Sequence, residues 1–180
     1  MALTVKVDPG KHTIRITKSG YFPIKFDVTV EAGETYNISR TLIPTNAVTI
    51  QKIEITPSNP KKGDKVTVKV TVKNNTNMTL SCRLRVWIVG VTIIGNPTFS
   101  LGAKATHTWT GTWTADRTGS LRLRAAADVY VNEHEKGAGY YETDSTYIDF
   151  TVSERKATIT ITTTPSGAAV YIDGVYKGTT

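Results

Sequence analysis

Hydrophobic alternation with a period of two runs along the whole chain, and it leaves few folds open. Leu3, Val5 and Val7 share one face, as do Phe22, Ile24, Phe26, Val28 and Val30. Val66, Val68, Val70 and Val72 repeat the pattern, and so do Leu121, Leu123, Ala125, Ala127, Val129 and Val131. Threonine, lysine and arginine fill the opposite phase. Successive side chains of a strand point to opposite faces, so this spacing buries one face and wets the other, as in antiparallel sheets. A helix needs apolar residues three and four apart, and no convincing stretch of that kind is found. The expected fold class is all-β.

Turn residues divide the chain into three. Residues 1–43 carry expected strands near 2–7, 11–17, 23–30 and 34–42, separated by Asp8-Pro9-Gly10, Ser19-Gly20 and Ala32-Gly33. After the connector Pro44-Thr45-Asn46, residues 47–153 give about seven strands at the spacing of a sandwich. Its breaks are Pro57-Ser58-Asn59-Pro60, Asn74 to Asn77, Gly95-Asn96-Pro97 and Thr118-Gly119. Glu154-Arg155-Lys156 leads to two further expected strands, 157–163 and 168–172, around Pro165-Ser166-Gly167. Asp173-Gly174 then signals a hairpin whose return strand is expected to be missing from the chain.

The last segment, 157–180, resembles the opening half of a PEGA domain. The resemblance rests on a strand, the turn Pro165-Ser166-Gly167-Ala168, the run Val170-Tyr171-Ile172-Asp173-Gly174 and the exit Gly178-Thr179-Thr180. Residues 1–43 resemble the closing half of the same domain, through Pro9-Gly10-Lys11-His12, the pair Gly20-Tyr21 and the turn Ala32-Gly33-Glu34. Written in the order 157–180 then 1–43, the halves make one nearly complete domain. Only Met1-Ala2 at the junction departs, where members of the family usually carry a proline. The middle segment resembles CARDB, an immunoglobulin-type sandwich. The carrying residues are Ile55-Thr56-Pro57-Ser58-Asn59-Pro60, Gly63-Asp64 before the strand Val66 to Asn74, Phe99-Ser100-Leu101-Gly102-Ala103, and the threonine-rich run to Trp113. Asn132-Glu133-His134-Glu135 is a looser counterpart of that family's late acidic turn. These resemblances imply an immunoglobulin-like sandwich plus a small composite PEGA-like sandwich, in an extracellular or periplasmic interaction and spacer protein.

Half a module cannot stand alone. Two strands bury too little apolar surface to offset the entropy of ordering them. Ile159, Ile161, Val170 and Ile172 are therefore expected to meet the faces carrying Leu3, Val5, Ile14, Ile16, Phe22 and Ile24. Three arrangements satisfy this. The C-terminal half completes the N-terminal half of the next chain, giving a head-to-tail filament. Or the chain is one period of a longer tandem array. Or both halves close within one chain, around the inserted sandwich.

Other motifs each have an ordinary reading beside the functional one. Sequons at Asn37, Asn74 and Asn77 point to glycosylation, with Asn74 and Asn77 in a turn that would present a glycan outward. Eight asparagines in a chain so rich in threonine and serine give about two sequons by chance, so the turn reading stands equally. Trp109 and Trp113 share a strand phase, as sugar-stacking platforms do, and equally suit core packing. Asp128, Glu133, His134 and Glu135 could gather around a cation, but a solvated acidic loop is the expectation, and no metal or other cofactor is expected. Cys82 is alone, on the apolar phase Leu80-Cys82-Leu84-Val86, and reads as a buried thiol. His12, His107 and His134 form no catalytic constellation, glycines never take phosphate-loop spacing, and no enzyme activity is expected.

The net charge of +7 spreads through the strands, with basic residues adjacent only at Lys61-Lys62 and Arg155-Lys156, so nucleic-acid binding is not expected. No stretch is long and apolar enough to insert in a membrane, and no apolar run of the signal-peptide kind follows Met1, so none is expected in this sequence. The leading expectation is a structural subunit of an extracellular filament or surface array, whose partner is another copy of itself. The rival is a cell-surface module that binds polysaccharide or cell wall. A domain excised from a secreted enzyme ranks third.

Overall fold

The computed structural model describes residues 3–180; Met1-Ala2, the departure from the PEGA pattern, lies outside them. The structure is all-β, with an immunoglobulin-like sandwich at its centre. Its elements are β1 (Gly10–Ile16), β2 (Ile24–Val30), β3 (Val48–Thr56), β4 (Lys65–Asn74), β5 (Leu80–Ile88), β6 (Thr92–Gly95), β7 (Thr98–Leu101), β8 (Thr106–Thr114), β9 (Gly119–Val131), β10 (Gly139–Val152), β11 (Ala169–Ile172) and β12 (Val175–Thr179). Among the described residues, no helix is long and apolar enough to cross a membrane.

Two sheets form the sandwich. One runs β3-β4-β8; the other runs β10-β9-β5-β6, with β7 also paired to β5. The alternating residues meet between them. Val66, Val68, Val70 and Val72 of β4 face Leu80, Cys82, Leu84, Val86 and Ile88 of β5 and Leu123, Ala125, Ala127 and Val129 of β9, all buried. Each fully buried valine, leucine or isoleucine contributes about 1.5–3 kcal/mol. At one edge the indole of Trp109 lies across Gly95 of β6 and Gly111 of β8. A Cβ on either glycine would fall 2.2 Å and 2.1 Å from the ring.

The terminal segments form two hairpins, β1-β2 and β11-β12, each a separate sheet. β1 and β2 pair from Gly10↔Val30 to Ile16↔Ile24. Three expected strands, 2–7, 34–42 and 157–163, join no ladder among the described residues. Their alternation suits a sheet edge, but among the described residues no edge receives them. The return strand expected to be missing is present as β12, a correction to the sequence reading. Asp173 and Gly174 take φ of 52° and 76°, the two positive values that a two-residue hairpin turn requires, and the five residues after them suffice to pair with β11.

Candidate functional site

The chain ends present a split apolar face. Leu3 is 91% exposed, Val5 65% and Ile159 68%, while Val7, Ile161, Tyr171, Val175 and Tyr176 are also exposed. Ile14, Ile16, Val170 and Ile172 are half-buried. Among the described residues, no ladder joins β1-β2 to β11-β12, so closure of the two halves within one chain is not the arrangement seen. Phe22 and Ile24, expected on the same face, lie instead in the central core.

Their burial comes from a clamp that holds the N-terminal half on the sandwich. The loop between β9 and β10 pairs with the start of β2: Ile24 bridges His134, Lys25 N–H donates to Glu133 O at 2.7 Å, and Glu135 N–H donates to Pro23 O at 3.2 Å. Phe22 packs against His134 and Tyr141, whose rings stack with centroids 3.6 Å apart. Arg40 grips Glu133 with both arms, Nε to Oε2 at 2.7 Å and Nη2 to Oε1 at 3.0 Å, and lies over the Phe26 ring. Arg15 Nε donates to Glu135 at 2.6 Å. Behind the loop, Tyr21 bridges Pro44, and Phe22 N–H donates to Ile43 O.

This corrects the solvated-loop expectation. Glu133 and Glu135 are held by arginines, and Asp128 is fully buried between Arg83 and Arg85, with Nε of each 2.8 Å from Oδ2. No group of three or more metal-ligating side chains occurs among the described residues. Sequence reasoning missed both arrangements. Arginines on the wet phase of a strand read as solvated, and only the tertiary fold sets them opposite carboxylates.

The clamp is sensitive to acid. Burial lowers the pKa of His134 below its ordinary value, and Lys136 N–H donates to its Nδ1, a bond that requires that nitrogen unprotonated. The undocked ring therefore takes a proton more readily than the docked one. Docking is at full strength above about pH 6.5 and weakens as the pH falls below it. Glu135, lowered chiefly by its hydrogen bond to Arg15, acts in the same direction at more acidic pH. Hydrogen exchange at the amides of Lys25 and Glu135, corrected for intrinsic rates, should accelerate between about pH 7 and 5. Corrected rates that stay constant would exclude the effect.

The sequons separate. Asn37 and Asn77 are exposed, but Asn74 is fully buried. Its Nδ2 donates to the carbonyls of Met78, Leu101 and Gly102 at 2.7, 3.0 and 2.9 Å, and its Oδ1 accepts from the N–H and Oγ1 of Thr76. The expectation that Asn74 presents a glycan outward is therefore corrected: its amide pins the turn to the β7–β8 connection. Ile38, beside Asn37, is 41% exposed. Trp109 and Trp113 lie in register with Val70 and Val66 of β4 and pack against the core, Trp113 edge-on to Phe150. Cys82 is buried, and burial pushes its thiol up to about 11, so the sulfur stays protonated at neutral pH.

Comparison with known proteins matches residues 2–46 and 156–180 to the PEGA domain, as two pieces of one model, and residues 45–136 to CARDB. Among solved structures, the chain resembles the CARDB domain of a Pyrococcus furiosus protein, in a crystal structure in complex with di-metal ions. The likeness has 26% identity and a TM-score of 0.46, covering 61% of this chain and 93% of that one. The solution structure of that domain gives the same identity and score, covering 61% of this chain and 94% of that one. A Bacillus subtilis sporulation control protein is similar at 13% identity and a TM-score of 0.37, over 61% of this chain and 50% of that one. No curated protein matches the sequence.

Proposed function

From the premise that this chain belongs to the CARDB family and carries a PEGA domain divided between its two ends, we propose that it is a structural unit of an extracellular filament or surface array. PEGA and CARDB domains are typical of extracellular and cell-surface proteins. Each copy supplies residues 157–180 to complete residues 3–46 of the next, whether as separate subunits or as repeats of one polypeptide. The partner is a second copy of the chain, and no catalytic step is assigned to it.

The observation that carries this reading is the exposed apolar face on two complementary pieces of one domain that form no ladder with each other among the described residues. Burying Leu3, Val5, Val7, Ile159, Ile161 and Val175 would gain roughly 9–18 kcal/mol gross, at about 1.5–3 kcal/mol each. Association costs about 4–15 kcal/mol, so net affinity depends on backbone pairing along the unladdered segments as well. The rival glycan-binding reading loses its named residues, because Trp109 and Trp113 are engaged in packing.

Sedimentation velocity tests the proposal. The full chain should form species that grow with concentration. Ile159→Asp combined with Ile161→Asp should reduce them to monomers, with the melting of the central sandwich unchanged to within about 0.5 kcal/mol. Growth that survives the double substitution would contradict it.

A further inference from the structure

The two halves of the divided module are attached to the sandwich in different ways. The N-terminal half is fixed. Two backbone hydrogen bonds, the bridge Ile24↔His134, the bidentate Arg40–Glu133 pair, the Arg15–Glu135 pair and the buried Phe22 hold β2 against the loop after β9. These contacts enter from both strands of the hairpin and from the segment behind it, so they fix its orientation as well as its position. A planar guanidinium gripping a carboxylate with two parallel bonds leaves little angular freedom.

The C-terminal half lacks such a mount. The last anchors to the sandwich are the bridge Lys61↔Ser153, the hydrogen bonds Lys62 N–H to Ser153 O and Ser153 N–H to Pro60 O, and the Arg155–Asp64 ion pair. From residue 156 onward, the hydrogen bonds found among the described residues are internal. Gly167 N–H donates to Thr180 O, Thr180 N–H donates to Ala168 O, and Thr163 Oγ1 donates to Pro165 O. No residue of 156–180 belongs to the core cluster.

We infer that the module is a fixed socket and a tethered plug, the plug of one copy seating in the socket of another. Resting on the assembly reading, this assigns mechanical roles to the two sides of each joint. The completed module moves with the sandwich of the copy that supplies residues 3–46. Bending between copies falls on the plug side, in the arm 156–168. The occupant of the socket is a second copy of the chain, because its residues 156–180 are the remaining piece of the same domain.

Distance distributions between spin labels test the inference in the full chain. Cys82 is buried and stays unlabelled under mild conditions. One sample carries labels at Thr29→Cys and Lys69→Cys, reading socket against sandwich, and a second at Lys69→Cys and Lys177→Cys, reading plug against sandwich. In dilute protein the first distribution should be narrow and the second several-fold broader. Adding Glu133→Ala and Glu135→Ala to the first sample should broaden it to resemble the second. Two narrow distributions, two broad ones, or a socket unmoved by the loop substitutions would each overturn the inference. Light scattering on the same samples, with excess unlabelled chain, reports assembly separately. An unchanged mass at high concentration would sink the assembly reading while leaving the socket–plug contrast decided by the distances.

Discussion

Asn74→Asp should destabilise the central sandwich by about 3–5 kcal/mol, the largest loss expected from any single polar substitution in this chain. The substitution changes one atom, from an N–H₂ donor to a carboxylate oxygen. That atom faces the carbonyl oxygens of Met78, Leu101 and Gly102, all within 3.0 Å. An ionised carboxylate there meets three acceptors with no water to screen them, since the residue is fully buried. Protonating it restores one donor for one of the three carbonyls. The folded-state pKa of the new carboxyl is thus raised above its unfolded value, and the folded variant binds the extra proton. The deficit should be complete at neutral pH and shrink as the pH falls through the raised pKa. Urea unfolding of variant and wild type at two pH values measures both effects. A deficit below about 1 kcal/mol would mean that the asparagine does not hold the turn.

Asp128→Ala should cost about 2 kcal/mol. Asp128 is wholly buried and accepts three hydrogen bonds, from Arg83 Nε, Arg85 Nε and Arg85 Nη2. Removing it leaves Arg83 with no carboxylate among the described residues, while Arg85 retains Glu142 at 2.9 Å. Both arginine side chains are about a third exposed or slightly less, so water takes over part of the solvation, and the loss stays below that of a fully buried pair. Arg83→Ala in the Asp128→Ala background should then cost less than Arg83→Ala alone, by the coupling between the two. Equal costs in the two backgrounds would show that the arginine and the aspartate act independently.

How much of this was legible in the sequence depends on where each residue's partner lies. The valines of β4 and the leucines and alanines of β9 announced their strands because alternation records burial directly, and the sandwich supplies the second face. Residues 3–7 and 157–163 show the same alternation without a ladder, because the pattern reports what a segment would do beside a partner and not whether the chain contains one. The return strand β12 escaped because Val175-Tyr176-Lys177-Gly178-Thr179 is short and weakly patterned, its pairing enforced by the turn before it. Asn74 read as an ordinary turn residue, since nothing local tells that the carbonyls of Leu101 and Gly102 close over it. The clamp was hidden for a similar reason: Arg15 and Glu135 are 120 positions apart, and each alone resembles a solvated charge. The halved PEGA domain, by contrast, was readable from motif residues, and the family match places its two pieces at residues 2–46 and 156–180.

Negative-stain electron microscopy of the native chain tests assembly through the divided domain most directly. Linear filaments or arrays with a regular, short axial repeat are expected, lost when Ile159 and Ile161 are replaced by aspartate. Compact single particles over the same concentration range, with β11-β12 packed on β1-β2 of their own chain, would contradict it.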